Sequence, residues 1–393
     1  MVERELGFIP YFDRESCDLD EFKVLTSQAL SPAAVPLAAD VVKNVPLYDM
    51  TVLRPALEDP ARRRELLAEW GWVLLQSAGV IVLKHAYADT SVIDRASDVF
   101  RALIAEEREG GAGKGDHFAA SGANDRVWNS AQKHCLRDPE GFALYFGNPA
   151  IAAAAEAWLG PHYQVTAQVN QVRPGGQAQT AHRDYHLGFQ SQALAAQYPA
   201  HSHAVTAVLT LQGAVAHVDM PVESGPTKLL PFSQLYGPGY LAFHEEDHQA
   251  YFDQACIQLP LEKGDAVFFN PALFHAAGAN VSSDIHRMVN LLQVSSPFGR
   301  AMEALDRRAM SEALFPALAE LKLAGRLDAA QIDAAIAACA EGYAFPTNLD
   351  TDPPIGGNAP DSQADLLRRA LDEGWAPSKL TETLTALAAR QRP

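Results

Sequence analysis

His182-Arg-Asp-Tyr-His-Leu-Gly-Phe189, followed at a distance by Lys263-Gly-Asp-Ala-Val-Phe-Phe-Asn-Pro-Ala-Leu-Phe-His275 and then by Arg287, decides the fold class of this chain. Side chains at i and i+2 of an extended segment point the same way, so His182 and Asp184 can converge on one ion while Arg183 turns away. Residues 265 to 275 read as a buried strand leading to a turn at Ala276-Ala277-Gly278, which places His275 at a strand end. Two imidazoles and one carboxylate on one side of a metal leave coordination positions open, the arrangement of non-haem Fe(II) oxygenases. Arg287 then supplies a fixed-charge anchor for a carboxylate co-substrate, binding it by two parallel hydrogen bonds where the neighbouring His286, if neutral, offers one donor. Only one of those two neighbours on a strand can face inward.

A second His-x-Asp pair, His217-Val-Asp219, competes with the first. It lies in a loop-like stretch between the β-rich run Ala204-Val-Thr-Ala-Val-Leu-Thr-Leu-Gln212 and a Gly-Pro turn at 225 to 226, and reads as a hydrogen-bonded loop pair near the mouth of the pocket. His182 and Asp184 are the preferred ligands.

Together with Glu223-Ser-Gly-Pro-Thr-Lys-Leu-Leu-Pro-Phe-Ser233, the two quoted runs make residues 65 to 300 similar to the phytanoyl-CoA dioxygenase family, with its motifs in the family's order. The resemblance implies a mainly β core with flanking helices: a double-stranded β-helix, that is a cupin-like jelly-roll barrel. It implies Fe(II) as cofactor, 2-oxoglutarate as co-substrate and O2 as oxidant. His182, Asp184 and His275 carry over as iron ligands, and Arg287 as the partner of the distal carboxylate of 2-oxoglutarate. The family arginine usually lies one residue closer to the distal histidine, where this chain has His286, which reads as one extra residue in the loop from Gly278 to Ile285. On the alternating run Tyr163 to Val172, Gln168 and Asn170 share a face. The resemblance gives them polar contacts to 2-oxoglutarate, and hydrogen bonding within the barrel is the alternative.

Substrate contacts are expected from Trp128, Phe189 and His186, the last on the side of Asp184 if the strand continues in period two. Glu109-Gly-Gly-Ala-Gly-Lys-Gly-Asp116 lacks the four-residue spacing and the Ser or Thr of a phosphate loop and reads as a flexible cover that brings Lys114, Arg126 and Trp128 to substrate. His201, His203, His244 and His248 build no site and read as loop residues. The function expected is a 2-oxoglutarate-dependent dioxygenase hydroxylating a small organic molecule with release of succinate and CO2; a carboxylate at Asp184, where related halogenases keep a small residue, points to hydroxylation. A cupin-like metal enzyme that uses no oxo acid and a non-catalytic jelly-roll binding protein are the alternatives.

Composition agrees with that class. A chain of 393 residues can bury a large core, and 48 acidic against 31 basic residues give a net charge of -17, which argues against nucleic acid or an anionic membrane as partner. Four cysteines without finger or framework spacing fit a reducing compartment, no leader or membrane-length apolar run is evident, and Ser378-Lys-Leu380 is internal, so a cytoplasmic location is expected. Three parts are expected: residues 1–60 as a proline-punctuated arm packed on the barrel, 61–300 as the dioxygenase domain, and 301–393 as a helical extension. Helices are expected at 61 to 76, 89 to 107, 302 to 323 and 328 to 340, with two more after an irregular stretch, and a strand at 79 to 83.

Overall fold

The computed structural model describes residues 9–109 and 124–393. The glycine-rich segment with Lys114 lies outside the described residues. Among the described residues ten strands occur in the order β1 (Asp40–Val42), β2 (Val45–Asp49), β3 (Val80–Lys84), β4 (Asn124–Val127), β5 (Gln164–Val172), β6 (Thr210–Ala216), β7 (Lys228–Leu229), β8 (Ala266–Phe269), β9 (His275–Ala276) and β10 (Arg287–Ser295). Eight of them form one open mixed sheet, ordered β1-β2-β3-β8-β6-β10-β5-β4, while β7 and β9 pair in a short second sheet. Every pairing is antiparallel except that of β2 with β3.

The centre of the large sheet is β10, an apolar run of Met, Val and Leu that pairs with β5 along Arg287 to Ser295 and with β6 along Val289 to Ser295. Neighbours on both sides and layers on both faces explain why the run is almost continuously buried. Its alternation still sorts the faces. Arg287, Val289, Leu291 and Gln293 line an internal cavity, whereas Asn290 points the other way and donates to the Tyr145 hydroxyl at 3.1 Å.

Several expectations are corrected. The arm is not merely wrapped on the body, since β1 and β2 extend the main sheet and helix Leu19–Thr26, capped by Asp18, packs beneath Tyr236, whose hydroxyl accepts from the Asp18 amide at 2.6 Å. Residues 204–208 of the β-rich run belong to a helix, Ala200–Val208, and the strand starts only at Thr210. A short apolar run does not separate buried helix from buried strand, and Pro199, which has no amide hydrogen to lose, stands at the helix entry. His217 is no loop residue at a mouth: it is buried, with its ring between Ser97 Oγ and the Tyr145 hydroxyl, each at 2.8 Å, while Asp219 accepts separately from the Lys263 amide. His203 and His248 likewise are buried on helices Ala200–Val208 and Glu246–Ala255.

Helices fall at Pro60–Gln76 and Ser91–Glu109 and, in the tail, at Arg307–Leu323, Ala329–Cys339, Gln363–Asp372 and Pro377–Arg390. The first tail helix begins later than expected because Asp306 caps it, accepting from the Ala309 amide. Met310, Leu314, Phe315, Leu318 and Leu321 on its buried face belong to the same apolar cluster as the strands. Arg307 fastens the tail to the sheet, donating through Nη2 to the Val165 carbonyl of β5 at 3.0 Å and through Nη1 to the Cys339 carbonyl at 3.2 Å. Among the described residues no helix is long and apolar enough to cross a membrane.

Two predictions follow from this packing. A Cβ at Gly239 would lie 1.9 Å from the Arg183 guanidinium carbon, which is held over the Tyr240 and Phe274 rings. Gly239→Ala is therefore expected to lower stability by about 1–3 kcal/mol, read as a fall in the urea midpoint. His134 and His217 are buried neutral, pushed down by burial to about 4 and about 3. The unfolded chain takes up those protons near the ordinary histidine range while the folded chain refuses them, so this contribution is intact above about pH 6.5 and is lost as pH falls toward 4, at up to roughly 2–3 kcal/mol per pH unit. Urea midpoints at pH 7.5 and 5.5 measure this, and His134→Phe should reduce the difference between them.

Candidate metal centre

The segment around His182 is extended but is not a regular strand. It lies antiparallel to β9 through one bridge, in which the His182 amide donates to the His275 carbonyl at 3.0 Å and the His275 amide returns the bond at 3.2 Å. The Asp184 amide then donates to the Pro271 carbonyl at 3.0 Å. These bonds set the local two-residue period. They turn His182 and Asp184 into the cavity and Arg183 into the protein, where Nη2 donates to the Tyr236 carbonyl at 2.9 Å.

Asp184 Oδ2 lies 3.5 Å from His275 Nε2 and 3.9 Å from His182 Nε2, and one donor atom from each of the three residues falls within 4.8 Å of the others. Each imidazole places Nδ1 against a carbonyl, Thr180 O at 2.9 Å and Leu273 O at 2.8 Å. A carbonyl only accepts, so Nδ1 carries the proton and Nε2 presents its lone pair to the common point. Burial and the neighbouring His275 push His182 down, which keeps it neutral. Burial alone would raise the Asp184 carboxyl, but the adjoining His275 and His182 and the amide of Gln212 outweigh it and hold it at about 2. Two imidazole nitrogens and one carboxylate, the imidazoles oriented by bonds on their far sides, are a donor set that fits a divalent transition metal.

These groups open onto a cavity of about 600 Å³ between the large sheet and the second sheet. Arg287 lines it and is 4% exposed, whereas His286 is exposed to solvent. The Arg287 Nη1 donates to the carbonyls of Ser224 and Gly278 at 3.1 and 3.2 Å, and its buried Nε has no partner among the described residues. Gln168 and Asn170 face the cavity from β5, and the buried Asn170 Oδ1 is likewise without a partner there. Trp128 and Phe189 are also in the wall, Trp128 with the Arg126 guanidinium 5.0 Å from its ring.

His186 is not among the residues that line the cavity. Its φ of 47° starts the turn His186–Phe189, so the period of two stops at Asp184 and swings Phe189 into the wall instead. Sequence reading missed Gln212, whose Nε2 donates to Asp184 Oδ2 at 2.6 Å, and its cross-strand neighbour Gln293. The signal was present: each is an amide in the middle of an otherwise apolar buried strand, where an unsatisfied polar group is costly.

The family model for phytanoyl-CoA dioxygenase (PhyH) matches residues 75–289. Dioxygenase trt7 of Aspergillus terreus (strain NIH 2624 / FGSC A1156) is 26% identical over 229 residues, 57% of this chain and 72% of the relative. Among solved structures, the non-heme alpha ketoglutarate dependent epimerase SnoN from nogalamycin biosynthesis is 22% identical, with 61% of this chain and 84% of that chain covered and a TM-score of 0.41. The carbocyclase SnoK from the same biosynthesis is 21% identical, with 60% and 86% covered and a TM-score of 0.41. The family match takes in more than half of the chain and includes all three donor residues and Arg287, and the chain belongs to the phytanoyl-CoA dioxygenase (PhyH) family.

Proposed function

We propose that this protein is an Fe(II)- and 2-oxoglutarate-dependent dioxygenase that hydroxylates a small organic substrate. His182, Asp184 and His275 would hold the iron, and Arg287 the distal carboxylate of 2-oxoglutarate. The observation that carries the reading is the buried Arg287: its guanidinium faces the same cavity as the donor set, and no carboxylate pairs with it among the described residues. Burying a guanidinium costs several kcal/mol unless an anion meets it. A dicarboxylate reaching from the donor set to Arg287 supplies one at each end. Thr227, on the wall near Gly225 and Pro226, and Asn170 on β5 would flank it, with Gln168 as the next polar group along that strand.

When bound, iron with 2-oxoglutarate and O2 supplies the oxidation of a substrate C–H bond, coupled to decarboxylation to succinate and CO2. The chain's own part is to orient and to exclude water. The Nδ1 bonds to Thr180 and Leu273 fix both imidazoles, and Val82, Leu229, Leu259, Val267 and Phe269 make the surrounding wall apolar. Trp128 and Phe189 would meet the substrate. In this reading the large sheet and the short second sheet are the two halves of a double-stranded β-helix. The same reading keeps 61–300 as the dioxygenase body, 1–60 as an arm and 301–393 as a helical extension, while their apolar residues share its core.

Anaerobic Fe(II)-loaded protein titrated with 2-oxoglutarate is expected to develop the weak visible metal-to-ligand charge-transfer band of the chelate. Arg287→Ala should weaken 2-oxoglutarate binding in the same titration by at least about tenfold, since the loss of a charged hydrogen-bonding partner is involved. A wild-type protein that binds iron but gives no band would favour the cupin-like or binding-protein alternative. Asp184→Ala is expected to abolish succinate formation and to weaken iron binding measured directly by metal analysis after dialysis; full activity in that variant would overturn the ligand assignment.

A further inference from the structure

Two hydrogen-bonded runs of polar side chains line the cavity, Arg126–Gln168–Gln293 and Gln212–Asp184, and they meet at the cross-strand pair Gln212 and Gln293. Arg126 can only donate, and its Nη1 lies 3.3 Å from Gln168 Oε1. Gln168 must then present its NH2 onward, and it does so to acceptors alone: Gln293 Oε1 at 3.4 Å, Met302 Sδ at 3.5 Å and the Glu303 carboxylate. Gln293 accepts through its oxygen, which leaves its NH2 for the cavity, and among the described residues nothing accepts from it. Gln212 Nε2 donates to Asp184 Oδ2 at 2.6 Å, which leaves Gln212 Oε1, buried and without a hydrogen-bond partner among the described residues, as an acceptor. Gln212 and Gln293 face each other directly across β6 and β10, and each is 7% exposed. Cross-strand partners of this kind have Cβ atoms about 5 Å apart. The wall of the donor set therefore carries one oriented N–H donor beside one oriented carbonyl acceptor.

We propose that Gln293 and Gln212 read the substrate, and that the substrate presents to them a neutral group offering both an acceptor and a donor, an alcohol or an amide, on an apolar body that packs on Trp128, Phe189 and Met302. This rests on the dioxygenase reading of the site and narrows its substrate class. A carboxylate would set its lone pairs against Gln212 Oε1, and an ammonium would set its protons against the Gln293 NH2. Both mismatches leave a buried amide group unpaired, and a site of that kind discriminates against the wrong partner more sharply than an apolar pocket does. Arg126 and Gln168 act as positioning residues, fixing which end of the Gln293 amide faces inward.

The test uses four probes that share one ring: cyclohexanol, cyclohexanecarboxamide, cyclohexanecarboxylate and cyclohexylammonium. Full-length protein is first loaded with Zn(II) and 2-oxoglutarate, so that the donor set and Arg287 are occupied, and each dissociation constant is measured by ligand-observed NMR. The alcohol and the carboxamide are expected to bind about tenfold more tightly than the two charged probes, the size of one hydrogen bond lost from a buried group. Gln293→Met should erase that margin for the neutral probes, and Gln293→Glu, nearly the same shape, should instead raise the affinity for cyclohexylammonium. A charged probe that binds the wild type as tightly as the neutral ones, or a margin that survives in both variants, would overturn the proposal. A failure of the dioxygenase reading shows separately, as the absence of the charge-transfer band in protein shown to hold iron.

Discussion

The structure hangs on one reciprocal pair of backbone hydrogen bonds, between His182 and His275. Neither segment is a long strand: one is an irregular extension and the other has two residues. The pair nonetheless fixes the relative position of two imidazoles that are 93 residues apart in sequence and brings their rings to 4.5 Å between centroids. Without it the period of two at 182 to 184 would have nothing to aim at. The bridge is itself backed by Arg183, clamped between aromatic rings and backbone carbonyls, so the residue between His182 and Asp184 acts as the peg that stops the segment from turning.

Among the described residues three guanidiniums are buried, Arg183, Arg287 and Arg307, and backbone carbonyls receive all three. Carbonyl acceptance offsets part of the desolvation but not the charge. Arg183 and Arg307 sit in packed protein, one among rings and one against a helix terminus and β5. Arg287 alone of the three opens onto the cavity. Its environment is the same in kind, and its access is different, which is why it reads as a binding group while the others read as structural.

How much of this could be read from the residues differs between parts of the chain. The strands at 80–84, 164–172, 266–269 and 287–295 were legible because β-branched and apolar runs bounded by turns leave few alternatives. The donor residues were legible for a different reason: ligand chemistry restricts the residue types so severely that His-x-Asp and a distant His stand out even in an irregular segment. Residues 204 to 208 were not legible, because Val and Thr fit a buried helix turn as well as a strand and only the neighbouring pairing decides. His186 failed through one backbone angle, a left-handed φ that ends the alternation and that no side-chain pattern announces. Gln212 and Gln293 were visible as residues but not as a pair, since cross-strand register is a property of the assembled sheet.

Arg307 has a consequence for how this protein can be altered. It joins the tail to the carbonyl of Val165, three residues along β5 from Gln168. The helices after residue 300 therefore hold the back of the strand whose front carries the polar wall. A chimera that exchanges the tail for that of a relative would move a wall of the cavity, so specificity would travel with the tail as well as with the loops, and the two would have to be transplanted as one unit.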